Sequence, residues 1–206
     1  MRAKPTSYLF LHRATIALLP ALLLAGCTPY DRTLTSLGII YEGRGLPGIC
    51  ELGQTMGTIR GVRLVRYNED KYNPWTVYRI DGTQVFLDAE GKGRRAYVRR
   101  IAVRFPVAAD FVTDRGLVIP QGHYATVGQV EDVYGPVKQP FGTNINAQIV
   151  QVTQAIKTGI PYSFISPDGH SEYRHYPADG ISFYSHAGMV HVCYIEPIYD
   201  RPVWTF

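Results

Sequence analysis

The chain has 206 residues, 46% hydrophobic and 18% charged, with a formal net charge of +4. Three of its 21 basic residues and none of its 17 acidic ones fall in residues 1–26, so the following 180 residues carry 18 basic against 17 acidic side chains. That near-neutrality excludes a general nucleic-acid binder, and 180 residues suffice for one sizeable domain or two small barrels sharing an interface. The charge is uneven, with residues 27–104 at +5 and residues 105–206 at −4, a pattern expected of an interaction surface or of two halves that attract each other.

The first element is a basic stretch (Arg2, Lys4, Arg13) followed by an apolar run over residues 14–24, broken only by Thr15 and Pro20. Crossing a bilayer takes about twenty apolar residues. This run is too short, and Pro20 disfavours a long helix, so the spacing predicts a secretory signal rather than a membrane span. The run ends at Leu24-Ala25-Gly26-Cys27. In this order, basic region, short apolar region and small residues before a cysteine, the segment resembles the signal and lipobox of bacterial lipoproteins. The resemblance covers residues 1–27 and implies cleavage after residue 26, a diacylglyceryl thioether on Cys27 and an acylated, palmitate-type amino group. Each buried methylene contributes about 0.8 kcal/mol, so one chain holds marginally and three anchor permanently. Thr28 stands where an aspartate would retain such a protein in the inner membrane, which implies the outer membrane, or the cell membrane of an organism without one. Residues 27–36 are then a short tether and residues 37–206 a β-rich periplasmic domain.

Beyond the tether, apolar residues recur with period two between turn residues, the pattern of half-buried strands. Strands are expected at 62–67, 76–80, 83–87, 96–105, 124–133, 147–152, 181–184 and 189–195. Turns are expected at Asp81-Gly82, Gly91-Lys92-Gly93, Asp114-Arg115-Gly116, Gly135-Pro136, Gly159-Ile160-Pro161, Asp168-Gly169 and Asp179-Gly180, where glycine accommodates positive φ. Residues 144–157 are compatible with a helix, but Val150, Val152 and Thr153 favour a strand. The fold class expected is all-β: an antiparallel barrel, a sandwich, or two small β-barrels packed together.

The stretch GKGRRAYVRRIAVRF carries Lys92, Arg94, Arg95, Arg99, Arg100 and Arg104 with no acid between Lys92 and Arg104. On a regular strand Tyr97, Ile101, Val103 and Phe105 share the core face, and Arg100 and Arg104 point outward together as a possible anion-binding pair. The plainer reading is a solvated sheet face whose charges discourage edge aggregation. Parity places Arg99 with the core, which a bulge, an ion pair or an inward-facing site would explain. Two local patterns cross this region. GQVEDVYGPVKQPF (128–141) resembles a strand-turn-strand signature of the small β-barrel subunit of box H/ACA ribonucleoproteins, whose nucleic-acid role does not suit an exported chain. YVRRI (97–101), IPQGHYATVG (119–128) and YGPV (134–137) together resemble type I signal peptidases, all-β enzymes with a serine nucleophile and a lysine base. Here Arg99 stands at the lysine position and Thr55-Met56 is the nearest counterpart of the serine motif. A guanidinium stays protonated and has no acceptor lone pair, so the resemblance implies a catalytically inactive relative.

Four histidines, His170, His175, His186 and His191, lie near Asp168, Glu172 and Asp179. The five-residue intervals reverse the side chain along a strand and give no metal-binding pair, whereas His191 and Cys193 share a face. No metal and no cofactor are expected. Serines 163, 166, 171, 182 and 185 accompany the histidines without a nucleophile-elbow motif. Once Cys27 is lipidated, Cys50 and Cys193 make an even pair in an oxidising compartment, which predicts one disulfide. The function expected is noncatalytic: a membrane-anchored lipoprotein whose β domain binds an envelope protein or an anionic envelope component, without nucleic acid. The alternative is an envelope hydrolase or metal-dependent enzyme using region 168–193.

Overall fold

The computed structural model describes residues 37–67, 75–137, 139–141 and 149–198. The signal, Cys27 and the tether lie outside the described residues. Strands β1 (Ile39–Ile40), β2 (Gly45–Leu46), β3 (Cys50–Glu51), β4 (Leu64–Arg66), β5 (Thr76–Ile80), β6 (Val85–Glu90) and β7 (Tyr97–Arg104) are followed by β8 (Phe111–Thr113), β9 (Val118–Ile119) and β10 (Ala125–Thr126). Helix α1 (Val127–Tyr134), strand β11 (Gln139–Phe141) and helix α2 (Ile149–Thr158) lead into β12 (Tyr162–Ile165), β13 (Ser171–Tyr176), β14 (Ile181–His186) and β15 (Met189–Ile195).

Nine strands form one large sheet in the order β11-β12-β13-β14-β15-β7-β6-β5-β4, with β10 added to β15. Only the β11–β12 pair is parallel within it. The small sheet β1-β8-β9 and the hairpin β2-β3 are separate. The architecture is therefore all-β and sandwich-like, an open sheet rather than a closed barrel or a pair of barrels, because among the described residues β11 and β4 stand at opposite ends of the sheet and do not pair with each other. The described residues belong to one compact unit.

Alternation selects the core. Val85 and Leu87, Ile101 and Val103, Cys193 and Ile195, and Ile181 and Phe183 are all buried on one face of the sheet. They form a single cluster with Ile40, Leu46, Phe111, Ile119, Val130 and Tyr134, so the small sheet, the hairpin and α1 cover that face. The opposite, outer face carries the row Tyr162, His175, Ser182, Tyr194, Ala102, Phe86 and Arg79, aligned across seven strands. At its β12 end, Ala155 of α2, with Val152 and Ile156 beside it, packs on Tyr162 and Phe164.

Two expected strands are helices. Residues 124–133 contribute only the two residues of β10 before α1, which a capping box starts: Gln129 N–H donates to Thr126 Oγ1 at 3.2 Å and Thr126 N–H to Gln129 Oε1 at 2.8 Å. Thr126 followed three residues on by Gln129 is a helix-start signal, and Val130 and Tyr134 are then buried four residues apart. The stretch 128–141 is thus a helix followed by a short strand, not strand-turn-strand. Residues 149–158 are helical although rich in β-branched side chains, because a helix puts Val152, Ala155 and Ile156 together on β12. Strands β12 and β13 were not expected. Two of the three inward positions of β13, Glu172 and Arg174, are ion-paired rather than apolar, and only Tyr176 joins the core, which removes the hydrophobic alternation.

The expected glycine turns form. Gly82, Gly116, Gly169 and Gly180 all have positive φ. Gly180 also meets backbone: an added Cβ would stand 2.5 Å from Glu196 O and 2.5 Å from Gly43 Cα, whereas at Gly82 nothing lies within 4 Å. Gly180 accepts from both Gly43 N–H (3.2 Å) and Glu196 N–H (2.8 Å), so it joins the N-terminal hairpin to the sheet. Gly82→Ala is expected to cost about 1 kcal/mol through φ alone, and Gly180→Ala at least twice that. Urea unfolding of the two variants checks the ranking; equal losses would refute the close-packing role of Gly180.

Candidate functional site

The basic strand is rebuilt by a slip in its pairing. Asp88 pairs with Arg100 but Ala89 pairs with Val98, leaving Arg99 as the extra residue of a β-bulge. A bulge changes the face that following side chains occupy. Val98 is therefore buried with Ile101, Val103 and Phe105, while Tyr97, expected in the core, is exposed. The Arg99 anomaly has two of its three explanations at once, since Arg99 is bulged and its Nε lies 3.8 Å from Glu90.

Arg100 and Arg104 do share the outer face, but not as two free cations. Arg100 Nε donates to Asp88 Oδ2 at 2.7 Å, and its Nη1 stands 3.8 Å from Glu196 Oε1. Its guanidinium lies over Tyr194 (4.5 Å) and Trp75 (5.2 Å). Burial is the largest single influence and works against this charge, yet Asp88, Tyr173 and Glu196 together outweigh it and raise the Arg100 pKa above its ordinary value. Arg104, more exposed, lies over Phe86 at 4.2 Å and Tyr67 at 5.6 Å. The pair expected to hold an anion is thus half committed to carboxylates and otherwise stacked on aromatic rings.

Glu196 gathers a polar cluster behind this pair. It accepts from Tyr173 Oη at 3.2 Å and Ser182 Oγ at 3.2 Å, and its Oε2 lies 3.4 Å from His175 Nδ1. The His175 ring stacks on Tyr162 at 4.8 Å. Burial lowers the His175 pKa, with Glu196 opposing and Arg100 reinforcing the shift, so this histidine is held towards its neutral form. Serine, glutamate and histidine meet here in the wrong order for nucleophilic catalysis. A hydrolase places histidine between serine and carboxylate, whereas here the carboxylate lies between, and Ser182 is fully buried. The adjoining cavity of about 10 Å³ has room for one water at most.

The other three histidines lie elsewhere. A second bulge pairs Tyr184 with Val192 and Ser185 with Val190, making His191 the extra residue of β15. His191 and Cys193 therefore do not share a face: Cys193 is fully buried and His191 half-buried. Instead His191 approaches His186 (ring centres 6.3 Å), which approaches His170 (6.3 Å). His175 and the carboxylates Glu172 and Asp179 are not part of this group: Glu172 holds Arg174, and Asp179 holds Arg115. Asp168 is occupied by the Ser166 hydroxyl and by His170 N–H, contacts that lower its pKa.

The expected Cys50–Cys193 disulfide is not formed; both are free, buried thiols. Cys50 belongs to the β2–β3 hairpin while Cys193 lies in the middle of the large sheet between Phe183 and Val103. Burial pushes the Cys50 thiol up to about 12 and raises that of Cys193 as well, so neither is poised as a nucleophile. A cleft of about 410 Å³ beside Cys50 is lined also by Glu51, Gln54, Thr58 and Arg60, and its carboxylate, Glu51, is engaged by the Arg44 guanidinium.

The segment counterpart to a serine motif does lie beside the basic strand. Val98 N–H donates to Gln54 O at 2.9 Å, Met56 N–H to Ala96 O at 2.8 Å, and Thr55 bridges Tyr97. This pairing was not legible from either segment alone. Thr55 Oγ1 engages Thr58 and Arg99 engages Glu90, an arrangement without a base. No protein-family model, curated protein or solved structure matches the chain.

The residues overlooked in the sequence are Asp88, Tyr173 and Glu196. Asp88 is a buried carboxylate inside the apolar run of β6, a signal that a cation stands opposite, though only the register names Arg100. Asp88→Asn is expected to lower stability by about 2 kcal/mol, since Arg100 loses its charged hydrogen-bond partner, while Arg104→Gln costs less than about 1 kcal/mol; chemical denaturation at pH 7 measures both. His175 gives a pH dependence. Its folded pKa lies below the unfolded value of about 6.5, so its contribution is complete above that value and is lost as the pH falls below it towards the folded pKa. The urea midpoint should decline from pH 7 to pH 5, and His175→Gln should flatten the decline; an unchanged slope would assign it to other groups.

Proposed function

We propose that this chain is a lipid-anchored, noncatalytic lipoprotein of the bacterial envelope, held at the outer membrane through Cys27, whose β domain binds an envelope protein with the outer face of its large sheet. The observation that carries the reading is the composition of that face. Tyr67, Trp75, Arg104, Val192 and Tyr194 lie there half-buried or exposed, and tyrosine, tryptophan and arginine are the residues enriched in the cores of protein interfaces. The commitment of Arg100 to Asp88 weakens the case for an anionic envelope component and strengthens that for a protein partner. The buried Ser182, the reversed serine–glutamate–histidine order and the engaged Arg99 argue against a hydrolase. Among the described residues no helix is long and apolar enough to cross a membrane, which is consistent with attachment by lipid.

Two measurements test this. Wild-type protein should incorporate labelled fatty acid and Cys27→Ser should not; an unlabelled wild type would remove the anchor. With the anchor intact, a photo-crosslinker at Tyr67 or Val192 should capture one discrete envelope protein. Replacing Arg104 by Glu should reduce that capture severalfold with the melting temperature little changed. Equal capture from the exposed Val118, on the small sheet, would dissociate binding from the outer face.

A further inference from the structure

The register that gives Arg100 a carboxylate leaves Arg79 without one. Asp88 stands opposite Arg100, whereas the cross-strand neighbours of Arg79 are Val65 of β4 and Phe86 of β6, both apolar. Arg79 is half-buried, and its Nε is closed to solvent with no hydrogen-bond acceptor from the protein among the described residues. The acids that flank this region are engaged elsewhere. Asp81 lies 3.7 Å from Arg63 and accepts from Gly82 N–H at 3.1 Å, and Asp110 accepts from Gln121 N–H at 2.9 Å. A partly desolvated cation of this kind is costly to the fold until an anion meets it.

We propose that Arg79 anchors a binding site for a small aliphatic carboxylate, one carboxyl group on a short apolar body, presented by a free acid or by the carboxyl end of a peptide. Arg79 lines a pocket of about 270 Å³ at the β5–β6 turn. Leu37, Val85, Val107 and Ala109, all buried, supply its apolar wall, and Gln84 and Pro106 stand at its exposed rim. Among the described residues no acidic side chain lines it. The chemistry of the wall selects the ligand. Ligand pockets span about 300–1,000 Å³, so this one suits a few carbons and not a nucleotide or an oligosaccharide. One guanidinium matches one negative charge, and its planar edge of Nε–H and Nη–H fits the two oxygens of a carboxylate. A phosphate dianion would give up its hydration to apolar walls with a single cation to offset the loss.

Because Nε is closed to solvent, a two-bond contact entails a turn of the guanidinium towards the pocket, which the terminal torsions of the side chain supply without moving β5. A second cation reinforces the attraction. Arg104 lies over Phe86 at 4.2 Å, the ring that also stands opposite Arg79, so an anion at Arg79 feels both charges. The site requires neither lipid attachment nor an envelope partner, and its test is independent of the function proposed above.

The test is calorimetric titration of the full-length chain in nonionic detergent at pH 7 with isocaproate, empty micelles serving as the blank, together with saturation-transfer NMR of the same ligand. One site with a Kd of about 1 mM is expected for so small an anion. Isocaproamide, which keeps the shape and loses the charge, and acetate, which keeps the charge and loses the apolar body, should each bind about tenfold more weakly or worse. Arg79→Gln should weaken isocaproate binding about tenfold or more, while its melting temperature without ligand stays at the wild-type value because no protein acceptor on Nε is lost. Arg79→Lys, which keeps the charge and loses the fork, serves if the glutamine variant is unstable and should bind with intermediate affinity. Arg95→Gln, at an exposed cation on the turn at the other end of β6, should bind as the wild type does. Glycylglycylleucine distinguishes the two sources: tighter binding than isocaproate, lost on amidation, assigns the site to a peptide terminus, and weaker binding assigns it to a free acid. No saturation by either probe at about 10 mM, ten times the expected Kd, would overturn the proposal. So would equal affinity in Arg79→Gln, or an amide that binds as tightly as the acid.

Discussion

The pairing of β6, β7, β14 and β15 governs what every other part of the molecule presents, because an antiparallel ladder with one buried face assigns each side chain to core or surface by parity. The ladder slips by one residue at Arg99 and again at His191. Each slip ejects a charged or titratable residue from a place that parity would put in the core, and returns the next apolar residues to it. Val98, Ile101, Val103, Cys193 and Ile195 are buried for that reason. An unbulged β7 would bury Arg99, whose desolvation no nearby apolar group offsets; the bulge relieves this and lets Glu90 meet it near the surface.

The same register sets the charge pairs. Asp88 is almost fully buried, and Arg100 is opposite it. Isolated burial of either would be costly, and their mutual hydrogen bond, with Glu196 close by, offsets that cost without making the pair a large net source of stability. On the core side, Arg174 holds both Glu172 of its own strand and Glu131 of α1, so an ion pair supplements the apolar packing of Val130 and Tyr134 between sheet and helix. Tyr134 completes that junction, donating to Glu42 at 2.7 Å and accepting from the Thr113 hydroxyl at 2.8 Å while packing on Tyr176 and Phe183. The opposite charges of the chain's two halves are expressed partly inside the fold, as in Arg100 with Glu196, and not as one long-range surface field.

These commitments shape the functional reading. Groups that look reactive in a list of residues, Arg99, Ser182, Cys50 and Cys193, are paired or buried by the fold. The outer face keeps aromatic side chains and one exposed arginine accessible. On the proposed reading, recognition would draw on these strands rather than on a catalytic cleft.

Period-two alternation and Asp-Gly or Gly-Pro turns made the all-β class, the core strands β5, β6, β7, β14 and β15, and the turn glycines legible in the sequence, because those signals act within a few residues. The Thr126–Gln129 capping box was legible too, although β-branched neighbours concealed it. Strand β13 was not, since two of its three inward residues, Glu172 and Arg174, are charged and Arg174 finds a further partner in Glu131 of α1. The resemblance of residues 24–27 to a lipobox is likewise a local pattern and rests on sequence alone. A bulge, by contrast, is a property of two strands together: nothing in YVRRI says that Ala89 will face Val98, and nothing in HAGMVHV says that His191 will be the residue left over. The free thiols, the Arg100–Asp88 pair and the His170–His186–His191 group all follow from such pairings. They were decided only by tertiary structure, because the register that creates them is a sum over distant side chains competing for one core.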